Sequence, residues 1–290
     1  MKISPVKSNN VQVFSTKDKK DNLTLSQWWK AKNEDELCAQ VIGSAVFLKE
    51  SQSYRYRQAA IYARLYGNQS LFSFMGSNMA KLDQSTGLPA DRPTFNVIQS
   101  AIDTLVSRVS QSRPSPVFLT DNGDYKERNL AKQLNNFMQG EFYQTKTYEK
   151  AAIALRDALV EGTGIVKIYE TEDHKVALDR VLLTELLVDQ TESMHGDPRQ
   201  MYQLKLVDRS VLLESFPKFK KEITLAEKAY PDNSAETSKT VADQVMVVES
   251  WHLRSGMEAK DGRHVIACSA GVLLDEEYNK DKFPFVFLHY

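Results

Sequence analysis

The spacing of apolar residues changes once along this chain, and that change constrains the fold more than any other feature. Before about residue 175 the apolar residues recur every three or four positions, as in Leu37, Val41, Ala45 and Leu48, which is the period of an amphipathic helix. After that point short runs of alternating character dominate, as in strands. The order predicts an α+β fold, with a helix-rich N-terminal half followed by a β-rich segment, rather than repeated βαβ units.

Five helices are predicted in the first half. The first three cover 34–50, 51–66 and 95–112; apolar positions mark the other two, with Leu130, Leu134 and Phe137 in the fourth and Tyr148, Ala151, Leu155 and Ala158 in the fifth. Asn96 is a candidate cap for the third helix. We interpret Tyr54, Tyr62 and Tyr66 of the second helix as packing residues, with stacking on nucleic-acid bases as the alternative.

Prolines end the third helix. In Arg113-Pro114-Ser115-Pro116 each proline disfavours helical geometry in the residue before it. The next residues, Val117–Leu119, are predicted to form a short strand, and Asp121–Asp124 a turn.

Strands dominate the second half. They are predicted at 165–169, 176–183, 186–189, 201–207, 245–254, 263–268, 271–274 and 284–290, with short helices near 208–216 and 222–229 and loops over 67–95 and 231–239. Trp251 lies in an alternating run, so we expect its indole in the core or at a subunit interface.

Two glycines, Gly162 and Gly164, invite comparison with a phosphate-binding loop. Such a loop runs from strand to glycines to helix, so that the helix N-terminus faces the phosphate. Here the glycines follow a helix ending at Glu161 and precede a strand. Gly162 is therefore predicted to cap the helix in left-handed geometry, and Gly164 to ease the start of the strand.

No residue pattern predicts catalysis, a metal or a cofactor. The histidines show no zinc-ligand spacing, and the sequence has no GxSxG motif. The carboxylate pairs Glu172-Asp173 and Glu276-Glu277 are interpreted as surface acids, although a metal-dependent nuclease would also need paired carboxylates.

Composition excludes several kinds of function and site. The 37 Lys and Arg residues against 38 Asp and Glu give a net charge of −1, which excludes tight gripping of DNA phosphates but not a channel around DNA. The two cysteines, Cys38 and Cys268, are predicted to be buried reduced thiols. No apolar run approaches the roughly 18 residues of a membrane helix, so no membrane contact is predicted.

Five segments resemble portal proteins of tailed bacteriophages, most closely those of short-tailed phages. Asn96–Arg108 with Arg113-Pro114 resembles the opening of the portal wing region, and Arg156–Gly164 is similar to that family's helix-glycine-strand element. Three further segments are similar in the same order: Leu187–Gln190 with Gly196–Arg199, Val248–Trp251 and Phe283–Val286.

The resemblance implies a structural protein and not an enzyme. Portal subunits form a homo-oligomeric ring, usually a dodecamer, at one capsid vertex of the virion, after assembly in the host cytoplasm. Double-stranded DNA passes through the ring without sequence-specific contacts. The implied partners are the major capsid and scaffolding proteins, the terminase large subunit, and tail or adaptor proteins.

A polar, charged composition predicts a flexible arm over 1–35. For the rest of the chain the resemblance predicts a wing-like α+β domain over 36–244 and a β-rich segment over 245–290 that leads toward a stem and clip. We assign structural roles to five residues: Arg113, Pro114, Gly162, Gly164 and Trp251. Two alternatives remain open, a metal-dependent phage nuclease or other phosphate-handling enzyme, and another head-completion or adaptor protein.

We expect the natural protein to continue beyond Tyr290. The last residues form an apolar, strand-like run, whereas natural C-termini more often end in polar residues. Portals also continue past a similar Phe-Pro-Phe segment. The intact mass of the protein taken from virions tests this, and a mass near 33.0 kDa would contradict it.

Overall fold

The structure, a computed structural model, describes residues 27–68, 95–121, 123–171, 173–228, 242–256 and 258–289. The predicted loop 231–239 lies outside the described residues, as do most of the arm 1–35 and most of the loop 67–95.

Helices and strands in the described chain follow the predicted order closely. The α-helices are α1 Glu34–Ser51, α2 Ser53–Tyr66, α3 Val97–Gln111, α4 Tyr125–Gln144, α5 Thr147–Glu161, α6 Gln190–His195, α7 Arg209–Ser215 and α8 Lys220–Leu225. The strands are β1 Thr163–Glu170, β2 Val176–Val181, β3 Leu186–Leu187, β4 Gln200–Asp208, β5 Gln244–His252, β6 Arg263–Cys268, β7 Gly271–Glu277 and β8 Phe285–His289. The α+β class is therefore confirmed, with the long helices in the first half.

Two sheets are present among the described residues. The first has the strand order β2-β1-β8, and the second the order β3-β4-β5-β6-β7. In the first sheet β1 pairs antiparallel with both neighbours, so that Ile165 lies opposite Val181 on one side and Phe287 on the other. In the second sheet β5, β6 and β7 are joined in antiparallel register.

The chain divides into two compact units, each discontinuous in sequence. We call residues 27–47 and 206–278 the sheet unit, and residues 48–205 and 279–289 the helical unit. The two units are defined by spatial compactness, so they do not test the predicted domain ranges 1–35, 36–244 and 245–290. Those ranges describe expected roles in an assembly and stay a prediction.

The core of the sheet unit joins short helices to the strands. Its buried apolar residues are Leu212, Ile223, Ala226, Val245, Val247, Cys268 and Leu273. The Cys38 thiol, on α1, donates a hydrogen bond to the carbonyl oxygen of Cys268 at 3.4 Å. Both cysteines are buried and reduced, as predicted. Burial, reinforced by the charges of Cys268 and Asp35, raises the pKa of the Cys38 thiol to about 11, so the thiol stays protonated at neutral pH.

In the helical unit α5 is the central element. It contacts α2, α3 and α4 as well as β1, β2 and β8. Its buried residues Ala154 and Ala158 are small, which allows close packing. A Cβ atom on Gly164 would lie 1.9 Å from the Ala154 carbonyl oxygen, so β1 starts close against α5 only because residue 164 has no side chain.

Both predicted helix caps are confirmed. Gly162 follows α5 with φ +87°, in left-handed geometry, and its N–H donates to the Ala158 carbonyl. At the start of α3 the Asn96 side-chain oxygen accepts a hydrogen bond from the Gln99 N–H at 3.0 Å.

The predicted strand at Val117–Leu119 is wrong. No strand is assigned there, and the Asn135 side chain on α4 occupies the place of a partner strand. Its amide oxygen accepts from the Phe118 N–H at 2.8 Å, and its amide nitrogen donates to the Phe118 carbonyl at 3.3 Å. A single side-chain amide pairs here with one residue and carries no further backbone groups beside it, so it cannot continue a ladder.

The predicted packing role is also wrong for two tyrosines of α2. Tyr54 is 70% exposed and Tyr62 is 41% exposed, because the buried side of α2 centres on Ala59. Tyr66 is partly buried, and its hydroxyl donates to the Asp103 carboxylate at 2.8 Å.

We predict that Gly162→Ala lowers the melting temperature. A side chain in left-handed geometry costs on the order of 1 kcal/mol, which corresponds to about 2 to 4 °C for a chain of this size. The matched control is Gly140→Ala in α4, where a Cβ meets nothing within 4 Å and the φ is not positive. Because alanine is favoured over glycine inside a helix, Gly140→Ala should not lower the melting temperature. Thermal denaturation of the wild type and both variants tests the cap, and a Gly162→Ala melting temperature at or above that of the wild type would remove it.

Candidate functional site

Arg113 and Pro114 fix the segment that follows α3. The Tyr148 hydroxyl on α5 donates to the Pro114 carbonyl at 3.0 Å, and the Arg113 guanidinium lies 5.7 Å from the centroid of the Tyr148 ring. The cation faces an aromatic ring, which is a favourable electrostatic contact. These two residues therefore hold the extended segment against α5, while Gly162 and Gly164 lie at the C-terminal end of the same helix.

Trp251 belongs to the sheet unit and is 2% exposed. Its ring stacks on the His264 imidazole with centroids 5.2 Å apart and planes 10° from parallel. The register places Trp251 on β5 opposite His264 on β6, so the two rings share one face of the sheet. Of the two places expected for this indole, the structure shows the core.

His264 was not predicted as a site residue from sequence, and it is one of the buried polar residues of the sheet unit. Its Nδ1 lies 2.7 Å from a Glu276 carboxylate oxygen and its Nε2 lies 3.1 Å from a Glu249 carboxylate oxygen. The two carboxylates come from β7 and β5, so the imidazole links three adjacent strands. The only sequence signal was the alternation that puts Glu249 and Trp251 on the same face of β5.

A second polar contact anchors the residues before α1. Trp29 stacks on His252 with ring centroids 3.8 Å apart. Arg263 donates to the carbonyl oxygens of Trp29 and Ala31 at 3.0 and 2.7 Å, and to the Asp275 carboxylate at 2.6 Å. One guanidinium therefore ties this segment to the sheet.

A shallow polar cavity of about 370 Å³ lies beside this contact in the sheet unit. Four carboxylates line it, from Asp261, Asp275, Glu276 and Glu277. Three of them are engaged within the unit: Asp275 with Arg263, Glu276 with His264 and Asp261 with Ser255. In the residues that the structure describes, no group of three or more His, Cys, Asp or Glu side chains is arranged to hold a metal ion.

Ionic contacts also connect the helices and strands of the helical unit. The Arg180 guanidinium on β2 binds the Asp157 carboxylate on α5 through two hydrogen bonds of 2.5 and 2.6 Å. Burial, and then the Asp157 charge, raise the pKa of Glu161 at the end of α5, against the opposing effect of Arg180 and Arg55. Burial lowers the pKa of Arg55 and raises the pKa of Tyr56 to about 12.

Apolar side chains on α3 and α4 face solvent. No residue of the 20-residue helix α4 is buried, and its predicted apolar positions Leu130, Leu134 and Phe137 are all exposed. On α3 the apolar positions Ile98, Leu105 and Val109 are exposed too. Large exposed apolar patches are typical of protein–protein contacts.

No helix in the described ranges is long and apolar enough to cross a membrane. The described chain is an α+β protein with exposed apolar side chains on α3 and α4. The family of Phage P22-like portal proteins has a sequence model that matches residues 56–283. This chain belongs to that family, which confirms the resemblance to tailed-phage portals. No curated protein matches the chain.

We predict that Glu161→Gln makes stability less dependent on pH. Because the folded state raises the pKa of this carboxyl above its ordinary value of 4.5, ionisation is disfavoured in the fold, and stability falls as pH rises from 4.5 toward the raised value. Glu161→Gln cannot ionise at this position, so it does not lose stability over this pH range. It also removes a negative charge from a helix C-terminus. Its stability relative to the wild type should therefore increase between pH 4 and 7.

The control for this measurement is Glu149→Gln, an exposed glutamate on the same helix. Urea denaturation of the wild type and both variants across this pH range gives the comparison. Parallel pH profiles for the wild type and Glu161→Gln would contradict the assignment of Glu161 as a destabilising carboxylate.

Proposed function

We propose that this protein forms a homo-oligomeric ring, a dodecamer, at one vertex of the phage capsid, and that the ring is the channel for packaging and ejection of genomic DNA. The observation that carries the proposal is the family match over residues 56–283, which spans α2 to the end of β7 and so includes most of the chain. The subunit acts as a structural element of the particle and has no catalytic role.

A closed ring needs a head-to-tail interface between two different surfaces of the same subunit. The exposed apolar positions of α3 and α4 supply surface of the kind that subunit interfaces bury. A 20-residue helix with no buried residue gains little stability from packing within its own chain. Its exposed apolar residues therefore favour a contact with another subunit.

The charge balance supports a channel in which DNA moves. Each phosphate that a protein neutralises releases bound counterions, so a strongly basic wall would hold DNA in place. This chain has a net charge of −1. A wall with little excess positive charge lets the duplex slide.

In this proposal the ring's other faces serve as docking sites. The terminase large subunit docks during packaging, and tail or adaptor proteins dock afterwards. The major capsid and scaffolding proteins surround the ring at the vertex. Assembly takes place in the host cytoplasm, and the mature protein is part of the virion.

Light scattering of the purified protein tests ring formation. We expect a mass several times the 33.0 kDa of one chain. Leu134→Glu should reduce the assembled fraction by burying a charge in the interface, whereas Asn136→Glu, also exposed on α4, should not. A stable monomer under conditions where the protein is soluble would contradict the proposal.

We also expect no turnover of ATP or DNA with magnesium or manganese present. Glu276, in one of the acidic pairs, is hydrogen-bonded to His264, the residue that links three strands. DNA cleavage that Glu276→Gln abolishes, and that the exposed control Glu258→Gln retains, would favour a nuclease instead. Incubation of the protein with labelled DNA and with ATP gives the measurement.

A further inference from the structure

One buried histidine of the sheet unit lies between two carboxylates, and this geometry requires a particular number of protons. The His264 Nδ1 atom is 2.7 Å from a Glu276 oxygen, and its Nε2 atom is 3.1 Å from a Glu249 oxygen. Both distances are those of hydrogen bonds, so each contact needs one hydrogen between nitrogen and oxygen. The three side chains together must therefore supply two hydrogens.

A neutral imidazole cannot supply both of them. It carries one N–H donor and one nitrogen lone pair, whereas an ionised carboxylate has only acceptors. With a neutral His264, a lone pair would face a carboxylate oxygen at one of the two contacts, and that contact would be repulsive. An imidazolium has two N–H donors and satisfies both carboxylates. Because imidazole is a stronger base than a carboxylate, the additional proton belongs on the ring.

The surroundings of the ring also favour a cation. The Trp251 indole stacks on the imidazole, with centroids 5.2 Å apart and planes 10° from parallel, and the face of an aromatic ring attracts positive charge. The side chains of His264 and Glu249 are only 11% and 13% exposed. A carboxylate so shielded from water is costly unless it is paired, and the imidazolium supplies a positive partner.

The titratable groups that face His264 come from both neighbouring strands. Glu249 lies on β5 and Glu276 on β7, and the ring of Tyr278, which follows β7, is 6.3 Å away between centroids. Burial raises the pKa of Tyr278 to about 12, so its hydroxyl stays neutral up to mildly alkaline pH. Arg263 precedes His264 but lies on the opposite face, where it binds a carboxylate of β7. Among the described residues, the charges in contact with the ring are therefore both negative.

We propose that His264 is held as an imidazolium that joins β5, β6 and β7, and that the sheet unit depends on this proton for part of its stability. The unfolded chain releases the proton as pH rises above the ordinary range of histidine, whereas the folded sheet retains it. Stability that comes from the proton is therefore present at mildly acidic pH and is lost as pH rises. The link between the three strands is thus sensitive to pH.

Glu249→Gln tests the need for the additional proton. The glutamine amide can donate to Nε2 of a neutral His264, while Nδ1–H donates to Glu276, so the variant keeps both contacts without that proton. We expect its melting temperature to depend less on pH than that of the wild type between about pH 6 and pH 9. The wild type should lose about 3 °C more than the variant for each pH unit over which it retains the proton.

The matched control is Glu277→Gln, which removes the same charge from an exposed residue of β7. Its pH profile should follow that of the wild type. The three tryptophans of the chain, Trp28, Trp29 and Trp251, all belong to the sheet unit. Tryptophan fluorescence therefore follows the unfolding of this unit.

The charge on the ring can also be measured without a variant. Magic-angle-spinning NMR of uniformly labelled protein distinguishes protonated from unprotonated ring nitrogens, and it applies to a large assembly as well as to a single chain. His264 is assigned through its backbone neighbours. We expect two protonated nitrogens on this ring at about pH 7.

An unprotonated nitrogen on His264 at neutral pH overturns the proposal. Parallel pH profiles of the wild type and Glu249→Gln overturn it too, and so does a control whose profile changes as much as that of Glu249→Gln, because the effect would then come from charge in general. If Glu249→Gln does not fold, the NMR measurement decides. None of these results depends on whether the protein forms a ring, so they are independent of the proposed function.

Discussion

The helical unit depends on the close approach of β1 to α5. Gly164 has no room for a side chain beside the Ala154 carbonyl, and the left-handed Gly162 turns the chain from the helix into the strand. Because β1 is the central strand of its sheet, its position sets those of β2 and β8. The same helix contacts α2, α3 and α4, so this short junction also determines where the exposed helices are held.

Local rules predicted most of this architecture. Helix bounds followed from apolar spacing and from stop signals, and the caps at Asn96 and Gly162 follow from backbone chemistry within a few residues. The strand at Val117–Leu119 was wrong because pairing depends on a partner distant in sequence, and Asn135 on α4 takes that place. The exposure of Tyr54 likewise depends on which side of α2 its neighbours cover, which spacing alone does not show.

The candidate site could be predicted only in part. Trp251 was placed in the core or at an interface from its alternating strand. The His264 contacts with Glu249 and Glu276 join three strands, and the alternation of Glu249 with Trp251 was their only local signal. These polar contacts hold secondary structure together, and three of the four carboxylates that line the nearby cavity are engaged within the unit. The exposed apolar side chains of α3 and α4 are the surface that the proposed assembly would bury.

The central claim is that this protein is the portal at a single vertex of the particle. Gold labelling with antibodies raised against the protein, viewed by electron microscopy on particles opened at the vertex and on free heads, tests it most directly. The account predicts label at one vertex per head, at the point where the tail attaches. Label spread over the whole capsid surface, or particles with no label, would contradict it.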